Sequence, residues 1–132
     1  MDITARPFRS VLYIPGSKDR ALEKARGLPV DAIIFDLEDA VSPDAKIDAR
    51  ETLKSALAAG GYGARYKIIR INGLDSEWGQ GDIAALRDAD ADAFLIPKVA
   101  SPDDVQAVAD MLGNGKPIWA MIETPLGVLN AA

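Results

Sequence analysis

The sequence predicts an α/β fold: the first half of a (β/α)8 TIM-type barrel, with five parallel strands and four to five helices. Three observations lead there. Short apolar runs alternate strictly with stretches of helical periodicity, an order that implies a parallel sheet with helical crossovers. Polar or charged residues follow four successive strands, at Asp36/Glu38/Asp39, Arg70, Lys98 and Glu123. A barrel draws its site from many strand ends, whereas a doubly wound sheet, the competing architecture, gathers it at one switch point. A fifth helix also opens at Thr124-Pro125, just before Ala132, where a finished five-stranded domain would already be closed. A whole barrel needs about 250 residues. The 132 residues are therefore read as the N-terminal part, 1–132, of one barrel domain.

Met1–Pro7 reads as a loose leader and Val11–Ile14 as the first strand. Pro15-Gly16-Ser17 follows; Gly16 permits a tight turn and Ser17 is placed to cap a helix over Lys18–Arg26. Ala32–Leu37 is the central strand, a continuous apolar run of the kind buried on both faces of a parallel sheet. Ser42-Pro43-Asp44 has the form of a helix start, with Ser as N-cap and Pro at the first helical position. Ala49, Leu53, Ala56 and Leu57 then recur at helical spacing until Gly60-Gly61. Tyr66–Ile71 is the third strand, Asn72–Gln80 a loop, and Ile83 and Leu86 mark a short helix. Ala93–Ile96 is the fourth strand, and Ser101-Pro102 opens a helix striped by Val105, Val108, Ala109 and Leu112. Pro117–Ile122 is the fifth strand.

Composition narrows the chemistry. A net charge of −5 argues against nucleic acid or an anionic membrane as partner. No run approaches a membrane span and no signal-peptide pattern opens the chain, so a cytoplasmic protein is expected. With no Cys and no His, thiolate catalysis, the Ser-His-Asp arrangement and His- or Cys-ligated metals are excluded from these residues. Carboxylates, Lys, Arg, hydroxyls, backbone amides or a hard oxygen-ligated ion such as Mg2+ remain.

Each candidate has a plain alternative. Glu123 follows an apolar strand and reads as a metal ligand, or as an acid favoured by a helix N-terminus. Arg70 grips a substrate carboxylate, or pairs with Asp36 or Glu38 of the neighbouring strand; the two roles can coexist. Alternation sends Asp36 and Glu38 to one side of their strand and Asp39 to the other. Lys98 is read first as an inter-strand ion pair. Pro15, Gly16, Ser17 and Lys18 form either a phosphate cradle or a simple turn.

Taken in order, Arg9–Ser17, Phe35–Val41, Ile69–Asn72, Ile96–Val99 and Met121–Pro125 resemble the HpcH/HpaI aldolase and citrate lyase superfamily. The nearer likeness is to its acyl-CoA branch, the citrate lyase β-subunit and malyl-CoA lyase-like enzymes. That resemblance implies a Mg2+-dependent oxo-acid-lyase. It would cleave a (3S)-citryl-CoA- or malyl-CoA-like thioester to an acyl-CoA and a 2-oxo acid, oxaloacetate or glyoxylate, or run the reverse condensation. It implies Glu123 as a metal-binding carboxylate, with a second acidic ligand beyond Ala132, and Arg70 as the clamp on the oxo-acid carboxylate. Glu38 would be an acid near the metal and the candidate base, and Pro15–Lys18 the place that accepts the CoA arm. Coenzyme A enters as part of the substrate, and a homo-oligomer or a place in a larger lyase complex is implied. The 132 residues alone are expected to be inactive. Two other readings stand beside this one: a 2-oxo-acid aldolase that needs no CoA, and a non-catalytic half-barrel whose open edges demand cover.

Overall fold

The computed structural model describes residues 5–132. Five strands, β1 (Val11–Pro15), β2 (Ala32–Asp36), β3 (Tyr66–Arg70), β4 (Ala93–Ile96) and β5 (Ile118–Ala120), form one sheet in the order β1-β2-β3-β4-β5. Every pairing is parallel. A doubly wound sheet reverses its order at a switch point; this one never does. Five helices follow the strands in turn: α1 (Asp19–Ala25), α2 (Lys46–Ala59), α3 (Gly79–Leu86), α4 (Pro102–Leu112) and α5 (Pro125–Leu129).

The sheet is curled. Neighbouring strands lie about 4.8 Å apart, so β1 and β5 would stand about 19 Å apart in a flat sheet, with their side chains parallel. Instead Tyr13 Oη lies 3.5 Å from Met121 Sδ, and the Phe8 ring is 5.3 Å from that of Trp119. Strand alternation explains the two faces. Ile14, Ile33, Phe35, Ile69, Phe94 and Ile96 point outward to the helices and join Leu22, Leu53, Leu57, Val108 and Leu112 in the main core. Ala32, Ile34, Tyr66, Ile68, Ala93 and Leu95 line the concave face, with Phe8, Trp119 and Met121 packed on them. Large exposed apolar side chains fall mostly at the two open edges: Val11 and Tyr13 on β1, and Ile122, Leu126, Val128 and Leu129 after β5.

Several local expectations are corrected. Met1–Thr4 of the leader lie outside the described residues, but Arg6 is fastened, donating to the carbonyls of Ala64 and Asp31 at 2.6 and 2.8 Å. Ser17 does not cap α1; the N-cap position is Lys18, and it makes no side-chain cap bond. Ser42-Pro43 opens a single 3-10 turn, Pro43–Ala45, and α2 proper begins at Lys46. The loop ends earlier than its glycines suggest, because α3 starts at Gly79. A Cβ on Gly79 would overlap the Gly73 carbonyl, so this glycine serves close backbone packing instead of breaking the helix. β5 is shorter than its apolar run. Its partner β4 turns away at Lys98, a non-glycine residue at φ +52°, leaving only the Met121 amide bonded to the Ile96 carbonyl and the Val99 amide to that of Met121.

Candidate functional site

The sheet's carboxyl ends gather the charged residues. Parallel register sets Asp36 of β2 directly beside Arg70 of β3, both on the concave face. Arg70 donates from Nε and Nη2 to the two oxygens of Asp36, at 2.7 and 2.6 Å, a two-pronged pair with both side chains buried. Asp36 also accepts the amides of Glu38 and Ala40, at 2.8 and 2.9 Å. Burial pushes its acidity toward the neutral form, but the Arg70 bonds and the two amides outweigh that and hold it below the usual aspartate range. Burial likewise opposes the Arg70 charge, yet Asp36 and Glu38 raise its pKa above the usual arginine value.

The outer edge of that guanidinium is held less firmly. Arg70 Nη1 lies 3.4 Å from Met121 Sδ and 3.3 Å from Glu38 Oε1, and the Tyr13 ring sits 4.9 Å from its Cζ. Glu38 Oε1 is off the N–H direction and accepts no hydrogen bond, although its side chain is only 10% exposed. Its other oxygen is paired with Lys98 Nζ, which keeps the lysine charged to higher pH than usual through that bond. Asp39 points away into solvent and comes no nearer than 3.8 Å to the same ammonium. The left-handed backbone at Lys98 aims its amide at Glu123 Oε1, 2.9 Å away. Lys98 therefore joins Glu38 through its side chain and Glu123 through its backbone.

Pro15 to Lys18 lie at the end of β1, next to this group. Gly16 donates to the Asp36 carbonyl at 2.8 Å, and a Cβ there would stand 2.9 Å from Leu37 Cδ2. That close approach is the reason for glycine. Ser17 and Lys18 are more open.

On the helix side, sequence reasoning missed a second group. Lys46 of α2 is buried and donates to the carbonyls of Leu37 and Glu38 and to Asn72 Oδ1. Asn72 Nδ2 reaches Asp82 Oδ2, and Arg50 Nε reaches Asp82 Oδ1, each at 2.7 Å. A signal was available: Lys46 falls on the same buried helical stripe as Ala49, Leu53 and Leu57. A cleft of about 650 Å³ opens between the β3–α3 loop and α4, with Glu38, Lys98 and Trp78 among its walls.

For a metal, among the described residues no three acidic side chains converge. What the chain offers is the exposed carboxylate of Glu123, with one oxygen steadied by an amide. That donor set fits Mg2+, which takes one or two carboxylates and keeps several waters, and does not fit an all-protein cage.

Fold and strand ends together define an arc of a β/α barrel with its charged mouth at the carboxyl side. The chain belongs to the HpcH/HpaI aldolase/citrate lyase family, whose model matches residues 9–132. It is 62% identical over 128 residues to a (3S)-malyl-CoA thioesterase of Cereibacter sphaeroides, covering 97% of this chain and 45% of that protein. It is 33% identical over 136 residues to the citrate lyase subunit beta of Escherichia coli K12, covering 96% of this chain and 45% of that one. Among solved structures, protein CitE from Mycobacterium tuberculosis in complex with magnesium, acetoacetate and coenzyme A superposes with a TM-score of 0.77. The identity there is 26%, over 92% of this chain and 42% of that chain. The chain thus spans a little under half the length of these relatives. Among the described residues no helix is long and apolar enough to cross a membrane.

Proposed function

We propose that the full-length protein acts on a coenzyme A thioester of a small hydroxy dicarboxylic acid, (3S)-malyl-CoA or a close analogue. Hydrolysis of the thioester is the favoured reaction, and carbon–carbon cleavage, expected from the family resemblance, is the second reading. One observation carries the preference: 62% identity to a (3S)-malyl-CoA thioesterase, against 33% to a citrate lyase subunit beta.

The roles follow from the geometry. Arg70, its inner edge fixed by Asp36, offers Nη1 at its outer edge to a substrate carboxylate. Glu38 Oε1, buried and without a donor of its own, accepts a proton. In hydrolysis that proton comes from a water whose oxygen adds to the thioester carbon; the C–S bond then breaks and the proton passes to the departing thiolate. In the second reading Glu38 takes the proton of the substrate hydroxyl. The C–C bond breaks to give a 2-oxo acid and the enolate of acetyl-CoA, which is then protonated. Glu123 would hold Mg2+, and a bound Mg2+ would supply Lewis-acid polarisation of substrate oxygens in either reaction. The Pro15–Lys18 turn is the proposed rest for the CoA arm. The exposed apolar edges support packing against further chain or a second copy, and so an oligomer.

The test is a product assay on the full-length enzyme with Mg2+ and (3S)-malyl-CoA or citryl-CoA. Free CoA with malate, or with citrate from citryl-CoA, and no acetyl-CoA are expected. Acetyl-CoA with glyoxylate, or with oxaloacetate from citryl-CoA, would establish the second reading, and no turnover of either thioester would overturn both in favour of a CoA-independent aldolase or a non-catalytic protein. Glu123→Gln in the same assay should require more Mg2+ for half-maximal rate.

A further inference from the structure

The peptide that carries Glu38 is held at both ends. Its amide donates to Asp36 Oδ1 at 2.8 Å on the concave side of the sheet. Its carbonyl accepts Lys46 Nζ at 2.7 Å from the helix side. The same ammonium donates to the Leu37 carbonyl at 3.0 Å and to Asn72 Oδ1 at 2.8 Å. Three acceptors around one nitrogen use all three N–H bonds of an ammonium; a neutral amine, with two, would leave one acceptor unserved.

This placement is costly for a framework residue. Lys46 is 6% exposed and forms no direct ion pair among the described residues. The nearest linked carboxylate is Asp82, reached through the Asn72 side chain and itself neutralised by Arg50. The Trp78 ring, 5.2 Å from Nζ, covers the cation. An apolar residue would continue the buried stripe of α2 without desolvating a charge. What an apolar residue could not do is hold two successive carbonyls, those of Leu37 and Glu38, where the strand has ended and the only other donors are Asn72 Nδ2 to the first and the Val41 amide, at 3.2 Å, to the second.

We propose that Lys46 is a positioning residue for Glu38. By gripping the Leu37 and Glu38 carbonyls from behind the sheet, it fixes where the Glu38 carboxylate stands between Arg70 and Lys98, without touching substrate. Asn72 extends the grip, since its Nδ2 bonds the Leu37 carbonyl at 2.9 Å while its Oδ1 receives Lys46. The kinetic consequence rests on the reading of Glu38 as the proton acceptor; the structural consequence does not.

The experiment uses the full-length protein with Lys46→Met and Asn72→Ala. Two readouts are taken: kcat and KM for (3S)-malyl-CoA at saturating Mg2+, and the carboxyl 13C resonance of Glu38 at one fixed pH. Lys46→Met is expected to lower kcat about 10- to 100-fold, the scale of a displaced catalytic group. KM should stay within about twofold, because no binding contact is removed. The Glu38 resonance should move, and Asn72→Ala should change both readouts in the same direction by less. A folded Lys46→Met protein with unchanged kcat and an unmoved resonance would overturn the proposal and leave Lys46 as a staple between helix and strand. Should Lys46→Met not fold, Asn72→Ala decides, and an unmoved resonance there overturns it. If the parent enzyme turns over no thioester, the functional reading fails while the Glu38 resonance still decides the positioning.

Discussion

Two buried charge networks stand on opposite sides of the same sheet. On the helix side, Lys46, Asn72, Asp82 and Arg50 tie the loops after β2 and β3 together, and every buried polar side-chain atom among them has a partner. On the concave side, Asp36, Arg70, Glu38 and Lys98 tie β2, β3 and β4, and one oxygen, Glu38 Oε1, is left without a hydrogen bond. The helix-side group is complete; on the concave side Glu38 Oε1 has the Arg70 charge 3.3 Å away but no aligned donor. Openness differs in degree: Lys46 and Asn72 are buried at the wall of the cleft, whereas the concave group ends in a lysine side chain that is 55% exposed and in the exposed Glu123.

The sharpest way to break this contrast is to remove Arg70. Arg70→Met leaves Asp36 buried with only two amides for its charge, and the loss of one member of a buried pair costs about 3–5 kcal/mol. Urea unfolding of the full-length protein should show it; a loss below about 1 kcal/mol would mean that the amides alone suffice. Glu38→Gln should behave in the opposite sense. It keeps the shape but cannot accept a proton, so kcat should fall about 100-fold or more, while urea unfolding changes by less than in Arg70→Met, because Arg70 keeps Asp36 and Lys98 is half in solvent.

Smaller effects follow pH. The Asp36 pKa is lowered by folding, so its contribution is complete above the ordinary aspartate value near 3.9 and is lost as pH falls through the lower folded value. Asp36→Asn should remove that acid limb from a plot of stability against pH. The Lys98 pKa is raised, so its contribution is complete below about 10.4 and is lost as pH rises through the folded value. Because that side chain is half in solvent, the alkaline limb removed by Lys98→Met should amount to no more than about 1 kcal/mol.

Much of this was legible in order and spacing. Strand–helix alternation gives the parallel sheet, and the apolar run Ala93–Ile96 coincides with β4. The alternation through Asp36, Leu37 and Glu38 places both acids toward Arg70, as the structure has them. What spacing could not carry was contact between distant segments. Gly79 and Gly81 leave the start of α3 open in the sequence, because nothing local shows that the Gly73 carbonyl and the Arg50 guanidinium occupy the room of their missing side chains. Tyr13 and Met121 read as ordinary strand residues, since their meeting depends on the curl of the whole sheet. For Arg70 the sequence left open whether Asp36 would occupy its two-pronged edge; the structure shows that it does, so a substrate carboxylate would meet Nη1 at the other edge.

Phe8 has a consequence for traffic. Its ring lies edge-on to Tyr66, at 5.1 Å, and to Trp119, and so plugs the amino-terminal end of the concave face. Above that floor, Ile34, Ile68 and Leu95 fill the next level. The concave face is thus filled at its amino-terminal end, and its charged residues stand at the carboxyl end. For the proposed thioester, only the acyl tip would reach this face, and the rest of its length would lie against the loops that crown the strands. On that reading, selectivity for the carrier and selectivity for the acid would be set at different heights, so that either could drift in evolution while the other is kept.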